Sequence, residues 1–182
     1  MSILSVYHQS SPDSPNKVLT HADDIAATLA EQGVRFEQRE VAERIRPGTT
    51  EAEVIASLGE QVEVLRSEFS AQVIEVLSVN PEHQQKDELR AGLIDEGTHA
   101  GDDVRFFVSG RGLVNMRIGE YVYGLIGERG DLLVVPAGVG QWFDMGEQPN
   151  LVMVRLLSKE GEKARLTGDE STRAYPGLDD TF

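Results

Sequence analysis

The spacing of hydrophobic positions changes near the middle of the chain. In the first half, apolar residues recur every three or four positions, which predicts helices over 21–33, 50–65 and 82–94. Gly59 is predicted to break or kink the second of these helices. Short extended segments are expected at 34–41 and 71–79. We therefore predict a mostly helical first half.

In the second half the apolar positions alternate, which is the spacing of half-buried strands. Six short strands are predicted, at 103–108, 113–118, 121–126, 132–135, 141–144 and 151–157. Turns rich in Gly separate them at roughly ten-residue spacing, which is typical of a β-sandwich or barrel. No linker divides the chain, so we expect one α+β domain with its helices packed outside a barrel. The acidic end, 176–182, is predicted to be loose.

The composition excludes several classes of function. The 182 residues include 17 Lys and Arg, 31 Asp and Glu, and no Cys, with a formal net charge of −14. Such an acidic surface argues against nucleic acid or an anionic membrane as a partner. The missing Cys excludes disulfides, thiolate catalysis and iron–sulfur clusters. The first residues lack the features of a signal peptide, so a cytoplasmic protein is expected, with its oligomeric state left open.

Two segments match the paired signatures of the cupin barrel. The first signature is His-x-His, three or four residues, Glu, six residues and Gly; the second is Gly, five residues, Pro-x-Gly, two residues and His. The corresponding positions here are Gly97, His99, Asp103 and Gly110 in the first segment, and Gly130, Pro136, Gly138 and Gln141 in the second. The spacing and the Gly and Pro positions are retained, whereas most positions for metal ligands are changed.

The strings VRFFVSGRGL, GLIGERGDLLVVPAG and QWFDMGEQPN resemble acireductone dioxygenase, and the resemblance extends over nearly the whole chain. It implies a single-domain cupin over 1–182, that is, a double-stranded β-barrel of the jelly-roll type with flanking N-terminal helices. Within it we expect a flank at 1–95, a barrel core at 96–160 and a tail at 161–182. The resemblance also implies O2-dependent cleavage of an enediol at a bound Fe or Ni, a reaction of methionine salvage.

The family holds its metal with three His and one Glu, and the matching positions here are Gly97, His99, Asp103 and Gln141. Iron and nickel favour imidazole, and even minimal non-haem oxygenase sites use two His and a carboxylate. We therefore expect no cofactor, or Fe or Ni held weakly by His99, Asp103 and Gln141. The family also has a Trp near its active site at the position of Glu162.

Strand alternation places Asp103, Arg105 and Phe107 on one face of their strand. Since Asp103 stands at a ligand position, this face is predicted to line the barrel interior. The predicted catalytic residues are His99, Asp103, Arg105 and Gln141, and the predicted substrate contacts are Arg105, Phe143, Gly97 and Glu96.

Each predicted residue has a chemical role and a structural alternative. His99 suits a general acid or base, oriented by Asp103, or is a relic of the core. Arg105 suits an anionic enol, keto or carboxylate group, or serves as the structural partner of Asp103. Gln141 suits an oxyanion or is a polar filler. Acidic residues at 95, 96, 102 and 103 could form a site for a hard cation, or else the first three belong to a solvated loop at the mouth of the barrel.

Three functions remain open from the sequence. The leading hypothesis is a repurposed enzyme that acts on a small anionic metabolite by acid–base chemistry without a metal. The second is acireductone dioxygenase activity with an atypical metal set. The third is a non-catalytic cupin that binds a small molecule.

Overall fold

The computed structural model describes residues 1–158 and 165–180. Its four helices are α1 (Ala22–Ala30), α2 (Glu51–Leu58), α3 (Glu60–Glu68) and α4 (Lys86–Leu93). Its strands are β1 (Ile3–His8), β2 (Lys17–Leu19), β3 (Arg35–Gln38), β4 (Val73–Val79), β5 (Gly97–Thr98), β6 (Asp103–Ile118), β7 (Tyr121–Glu128), β8 (Asp131–Val135), β9 (Gly140–Asp144), β10 (Leu151–Leu157) and β11 (Arg165–Leu166). The described part of the tail adds 3₁₀ turns at Glu170–Ala174 and Leu178–Asp180.

The strands form two antiparallel layers that share β6. One layer has the order β11-β5-β9-β6-β7-β1-β2. The other has the order β4-β10-β6-β8-β3, in which β6 contributes its first half. This arrangement is consistent with the predicted jelly-roll, because one strand passes from one layer to the other and joins them.

The predicted break between 103–108 and 113–118 is wrong, because β6 runs through it without ending. Gly110 adopts a φ of +68°, a conformation that costs glycine little. The pairing of β6 with β10 shifts register at this level, and Arg111 then pairs with Glu128 of β7. A bulge redirects a strand while keeping its ladder, so the bulge at Val108 and the left-handed Gly110 two residues later together mark the corner between the two layers.

Alternation along β6 separates two cores. Phe107 belongs to the interior cluster, together with Phe143 and Met153. Phe106 faces the opposite way and packs under α2 and α3, where it joins Val54 and Leu65. The predicted assignment of faces on this strand is therefore correct, and Asp103 and Arg105 share the interior face with Phe107.

The predicted helices are largely present. The segment predicted at 50–65 is broken rather than kinked at Gly59, whose φ is +55°. Thr50 caps α2 through a hydrogen bond that its hydroxyl accepts from the backbone N–H of Glu53.

Residues 1–95, predicted to be a mostly helical flank, contain more strands than the sequence predicted. β1 and β2 were not predicted, and β1 pairs with β7 along its whole length. β3 pairs with β8, and β4 pairs with β10. Residues before position 96 thus build parts of both layers. The local spacing of hydrophobic residues does not reveal which distant strand a segment pairs with.

The prediction of a loose end at 176–182 is wrong for its described residues. Leu178 is buried against Ile3 and Leu113. The backbone N–H of Leu178 also donates a 2.9 Å hydrogen bond to the carboxylate of Asp144, which is itself buried. Residues 181–182 lie outside the described part. The described helices include none that is long and apolar enough to span a membrane.

The corner at Gly110 provides a test of the fold. A Cβ at this position would overlap the carbonyl oxygen of Asn150, in addition to forcing a side chain into a positive φ. We expect Gly110→Ala to lower the free energy of unfolding by at least about 3 kcal/mol, measured by urea denaturation. Gly119→Ala is the matched control, since its φ is +62° with open space around it, and it should cost about 1 kcal/mol. Equal losses in the two variants would contradict a special role for the corner.

A second test concerns Asp131, a fully buried carboxylate at the start of β8. It accepts hydrogen bonds from Ser2 and Gln38 side chains and from the backbone of Glu128. Burial nevertheless raises the pKa of Asp131 above its ordinary value of 3.8. The folded state thus holds this proton more tightly than the unfolded chain, so the stabilisation by Asp131 is present at low pH and lost as the pH rises through the raised pKa.

We therefore expect the unfolding free energy of Asp131→Asn, minus that of the unsubstituted protein, to increase as the pH rises from below 3.8 to neutrality. The measurement is the unfolding free energy of both proteins as a function of pH. Asp169→Asn is the control of opposite sign, because hydrogen bonds from Ser171 lower the pKa of Asp169. A pH-independent difference at Asp131 would show that its ionisation is not linked to folding.

Candidate functional site

Five of the predicted residues lie together inside the barrel. Asp103 and Arg105 come from β6, and Gln141 comes from β9. Gly97 pairs with Gln141 across β5 and β9, and His99 follows two residues later. All of these residues are buried. Their catalytic and binding roles remain predictions.

Asp103 is the centre of this group. Its Oδ2 accepts a 2.9 Å hydrogen bond from Nη2 of Arg155, lies 3.3 Å from Nη2 of Arg105 and 3.6 Å from Nε2 of His99. Burial opposes ionisation of this carboxyl group, but Arg105 and Arg155 together hold the pKa of Asp103 below its ordinary value. Asp103 is therefore a carboxylate shared by two guanidinium groups.

The ring of His99 faces Arg155. Nη2 of Arg155 lies 3.2 Å from Nε2 of His99. Because arginine has only donors, Nε2 must accept this hydrogen bond, and the proton of a neutral ring is then on Nδ1. This geometry favours an acceptor role for Nε2. It differs from the prediction that Asp103 orients His99, since Arg155 is the nearer partner.

Arg105 is buried with part of its hydrogen-bonding capacity unused. Its Nη2 donates a 3.2 Å hydrogen bond to Oε1 of Gln141, and its guanidinium lies 5.2 Å from the ring centre of Phe143. Its Nε and Nη1 have no hydrogen-bond partner among the described residues. Burial lowers the pKa of Arg105 to about 10, so the group remains a cation near neutrality. Buried donors without acceptors are costly, which points to an anionic ligand that supplies oxygen atoms.

Sequence analysis missed Arg155, which lies on β10 directly opposite Arg105 on β6 and opposite Glu75 on β4. The strand LVMVRLL is otherwise apolar, and its interior face also carries Met153. A single charge on the interior face of an apolar strand was the signal available in the sequence.

The two arginines line a cavity of about 270 Å³ between α4 and the inner faces of β4, β6 and β10. Leu77, Leu89 and Met153 form part of its apolar wall. Two cations face each other across neighbouring strands here, while Asp103 supplies one buried negative charge. Like charges placed directly opposite are unfavourable, so a second anion would stabilise the site.

Glu96 occupies a different environment from the other predicted contacts. Its carboxylate accepts hydrogen bonds from Nε of Arg117 at 2.8 Å and from the hydroxyl of Thr167 at 2.7 Å. The carboxylate of Asp102 accepts from the backbone N–H of Ala137. These acidic residues therefore have protein partners, which disfavours the hard-cation alternative. Glu162, the other position at which the family pattern differs, lies outside the described residues.

The remaining donors do not fit the Fe or Ni centre that the resemblance implies. Nε2 of His99 and the carboxylate of Asp103 both face Arg155, and Oε1 of Gln141 accepts from Arg105. Gly97 has no side chain to offer. Among residues 1–158 and 165–180, no group of three or more His, Cys, Asp or Glu is placed to hold a metal. One imidazole, one carboxylate and one amide fall below the usual set for these ions.

Comparison with known structures identifies the class of protein. A solved acireductone dioxygenase from Bacillus anthracis, with a cadmium ion in its active centre, matches 89% of this chain and 95% of its own, with a TM-score of 0.74 and 20% sequence identity. The predicted fold is therefore confirmed: the chain is an α+β cupin.

Comparison with known sequences identifies the family. The model of the ARD/ARD' family matches residues 5–164. An acireductone dioxygenase of Pseudomonas fluorescens strain Pf-5 is 54% identical over 99% of this chain and 100% of its own length. One from Pseudomonas syringae pv. syringae is 50% identical with the same coverage. This chain belongs to the acireductone dioxygenase family, as its motifs predicted.

The shared carboxylate allows a test of the site's architecture. We expect Asp103→Asn to lower the free energy of unfolding by about 3–5 kcal/mol, because it leaves two buried guanidinium groups without their carboxylate. Thermal and urea denaturation measure the loss. Glu75→Gln is the matched control: Glu75 lies 3.9 Å from the same Arg155 but is half exposed, so its loss should cost less than about 1 kcal/mol. A small effect at Asp103 would show that the arginines do not depend on it.

Proposed function

We propose that the protein binds an acireductone as its enediolate and promotes the cleavage of that molecule by O2. Its similarity to named acireductone dioxygenases over the whole chain supports this substrate class. The observation that carries the proposal is Arg105, a buried cation with two unpaired donors at the wall of a cavity. The comparisons favour this reading over the leading hypothesis of a repurposed acid–base enzyme.

The roles of the residues follow from their chemistry. Nε and Nη1 of Arg105 lie on different edges of one planar group, and each can donate to an oxygen of an anionic ligand. Phe143 supports the opposite side of that guanidinium. Arg155 adds a second positive charge at the same cavity, which favours the deprotonated, electron-rich form of the enediol. Nε2 of His99 already accepts from Arg155, so an enediol hydroxyl would have to displace that contact before His99 could take its proton.

Binding without turnover is the second candidate. It is favoured by the same donor set that fits poorly to iron or nickel, since the family's O2 chemistry is associated with a metal. In this case the arginines would retain their role as an anion site, and the ligand would leave unconverted.

A titration under anaerobic conditions followed by admission of O2 distinguishes these functions. A synthetic acireductone is titrated into the protein under argon, with calorimetry as the binding measurement. An oxygen electrode then compares the rate of O2 consumption with that of the ligand alone. Binding with accelerated consumption supports the proposed enzyme, and binding without acceleration supports the non-catalytic candidate. Absence of binding contradicts both.

Arg105→Met tests the residue that carries the proposal. We expect it to weaken acireductone binding about 10- to 100-fold, because a charged hydrogen bond contributes about 1.5–3 kcal/mol. Arg111→Met is the matched control, an exposed arginine on the same strand that does not line this cavity. Its affinity should equal that of the unsubstituted protein. Equal affinity of the Arg105 variant would place the ligand elsewhere.

A further inference from the structure

We infer that the guanidinium of Arg155 is the built-in cation of this site and occupies the interactions that a metal ion would need. The inference concerns the cation of the site and is independent of which anion binds there. It begins with geometry: one nitrogen, Nη2, lies 2.9 Å from Oδ2 of Asp103 and 3.2 Å from Nε2 of His99. These two atoms are the strongest potential metal ligands among the four signature positions.

The approach of Arg155 to Asp103 is two-pronged. Besides Nη2 on Oδ2, Nε of Arg155 lies 3.4 Å from Oδ1. Such a fork-to-carboxylate arrangement is planar and fixed in direction, so it holds the guanidinium in one place. The imidazole then accepts at the edge of the same fork. A guanidinium bound in this way satisfies both residual ligands of the degraded centre.

The third candidate ligand is engaged by the other arginine. Oε1 of Gln141 accepts from Nη2 of Arg105, which also lies 3.3 Å from Oδ2 of Asp103. His99, Asp103 and Gln141 therefore all face fixed positive charge from side chains. A divalent cation would have to displace both guanidinium groups and would gain only one imidazole, one carboxylate and one amide.

Burial strengthens the ion pair between Arg155 and Asp103. Asp103 is fully buried and the side chain of Arg155 is only 13% exposed, so water screens their interaction weakly. Arg155 also lines the cavity, and its charge is thus available to an anion there. It is a binding residue toward that anion and a positioning residue toward His99, whose accepting nitrogen it faces.

Metal uptake and anion binding are measured on the same protein to test the inference. Chelator-treated protein is titrated with Ni²⁺ and, separately, with Co²⁺, by calorimetry and by metal analysis after dialysis. We expect no stoichiometric uptake. The triple variant Gly97→His/Gln141→His/Arg155→Met restores the family's imidazoles and removes the guanidinium that engages His99 and Asp103, and it should take up one equivalent. Stoichiometric uptake by the unsubstituted protein that His99→Ala abolishes would overturn the inference.

The second arm tests the role of Arg155 as the cation of the site. It measures the affinity of the metal-stripped protein for oxalate, a planar anionic probe. Arg155→Met should weaken oxalate binding at least about tenfold, and Arg155→Lys should restore part of the affinity because it returns the charge without the fork. Arg111→Met serves as the control on the same sheet. Unchanged affinity in the methionine variant of Arg155, with the fold intact by thermal denaturation, would overturn the assignment.

The two arms keep this inference separate from the proposed function. Metal uptake through His99 removes Arg155 as the site's cation while leaving acireductone binding open. Failure to bind acireductone, together with metal-free oxalate binding that depends on Arg155, leaves the inference standing and contradicts the proposed substrate.

Discussion

The carboxylate of Asp103 between two guanidinium groups is the interaction on which the site depends. Arg105 and Arg155 face each other across adjacent strands, and since Arg105 is buried and Arg155 is only 13% exposed, neither is fully solvated. Without a negative charge between them the pair would be strongly unfavourable. Asp103 is on the same face of β6 as Arg105, two residues earlier, so the alternation of one strand supplies both the cation and its counter-charge.

The path of β6 through both layers determines where the charged residues of the site lie. The corner at Gly110 allows β6 to belong to both layers, so one strand carries Arg105 near the cavity and then pairs with β9, which carries Gln141. α4 lines one side of the cavity with apolar side chains, opposite the two cations. An apolar wall opposite two guanidinium groups is an environment that strengthens electrostatic binding of a small anion.

Membership of the acireductone dioxygenase family and the altered ligand positions together define an unusual site. The family relationship supports an acireductone as the substrate class, while the donors present match a cation-bound carboxylate better than an iron or nickel centre. The scaffold is retained in detail, including the Gly and Pro positions of both cupin signatures. Within the two signatures, the positions that differ are those of the metal ligands, and side chains of the protein supply the positive charge there.

The sequence by itself determined the class of fold, the faces of the central strands and the family. Period-two alternation specifies which side of a strand is buried, and the spaced Gly and Pro residues specify the turns of a cupin, so both are visible in a local window. It also determined that two imidazoles are missing from the signature positions.

Only the tertiary structure decided which charged group stands beside the ligand positions that remain. Arg155 stands 50 residues after Arg105 in the chain, and strand pairing brings the two face to face. The same holds for β1, for the continuous β6 and for the docked tail, each of which depends on partners far away in sequence. Long-range pairing is fixed by the packing of the whole chain, and for that reason no local pattern could place Arg155 beside His99.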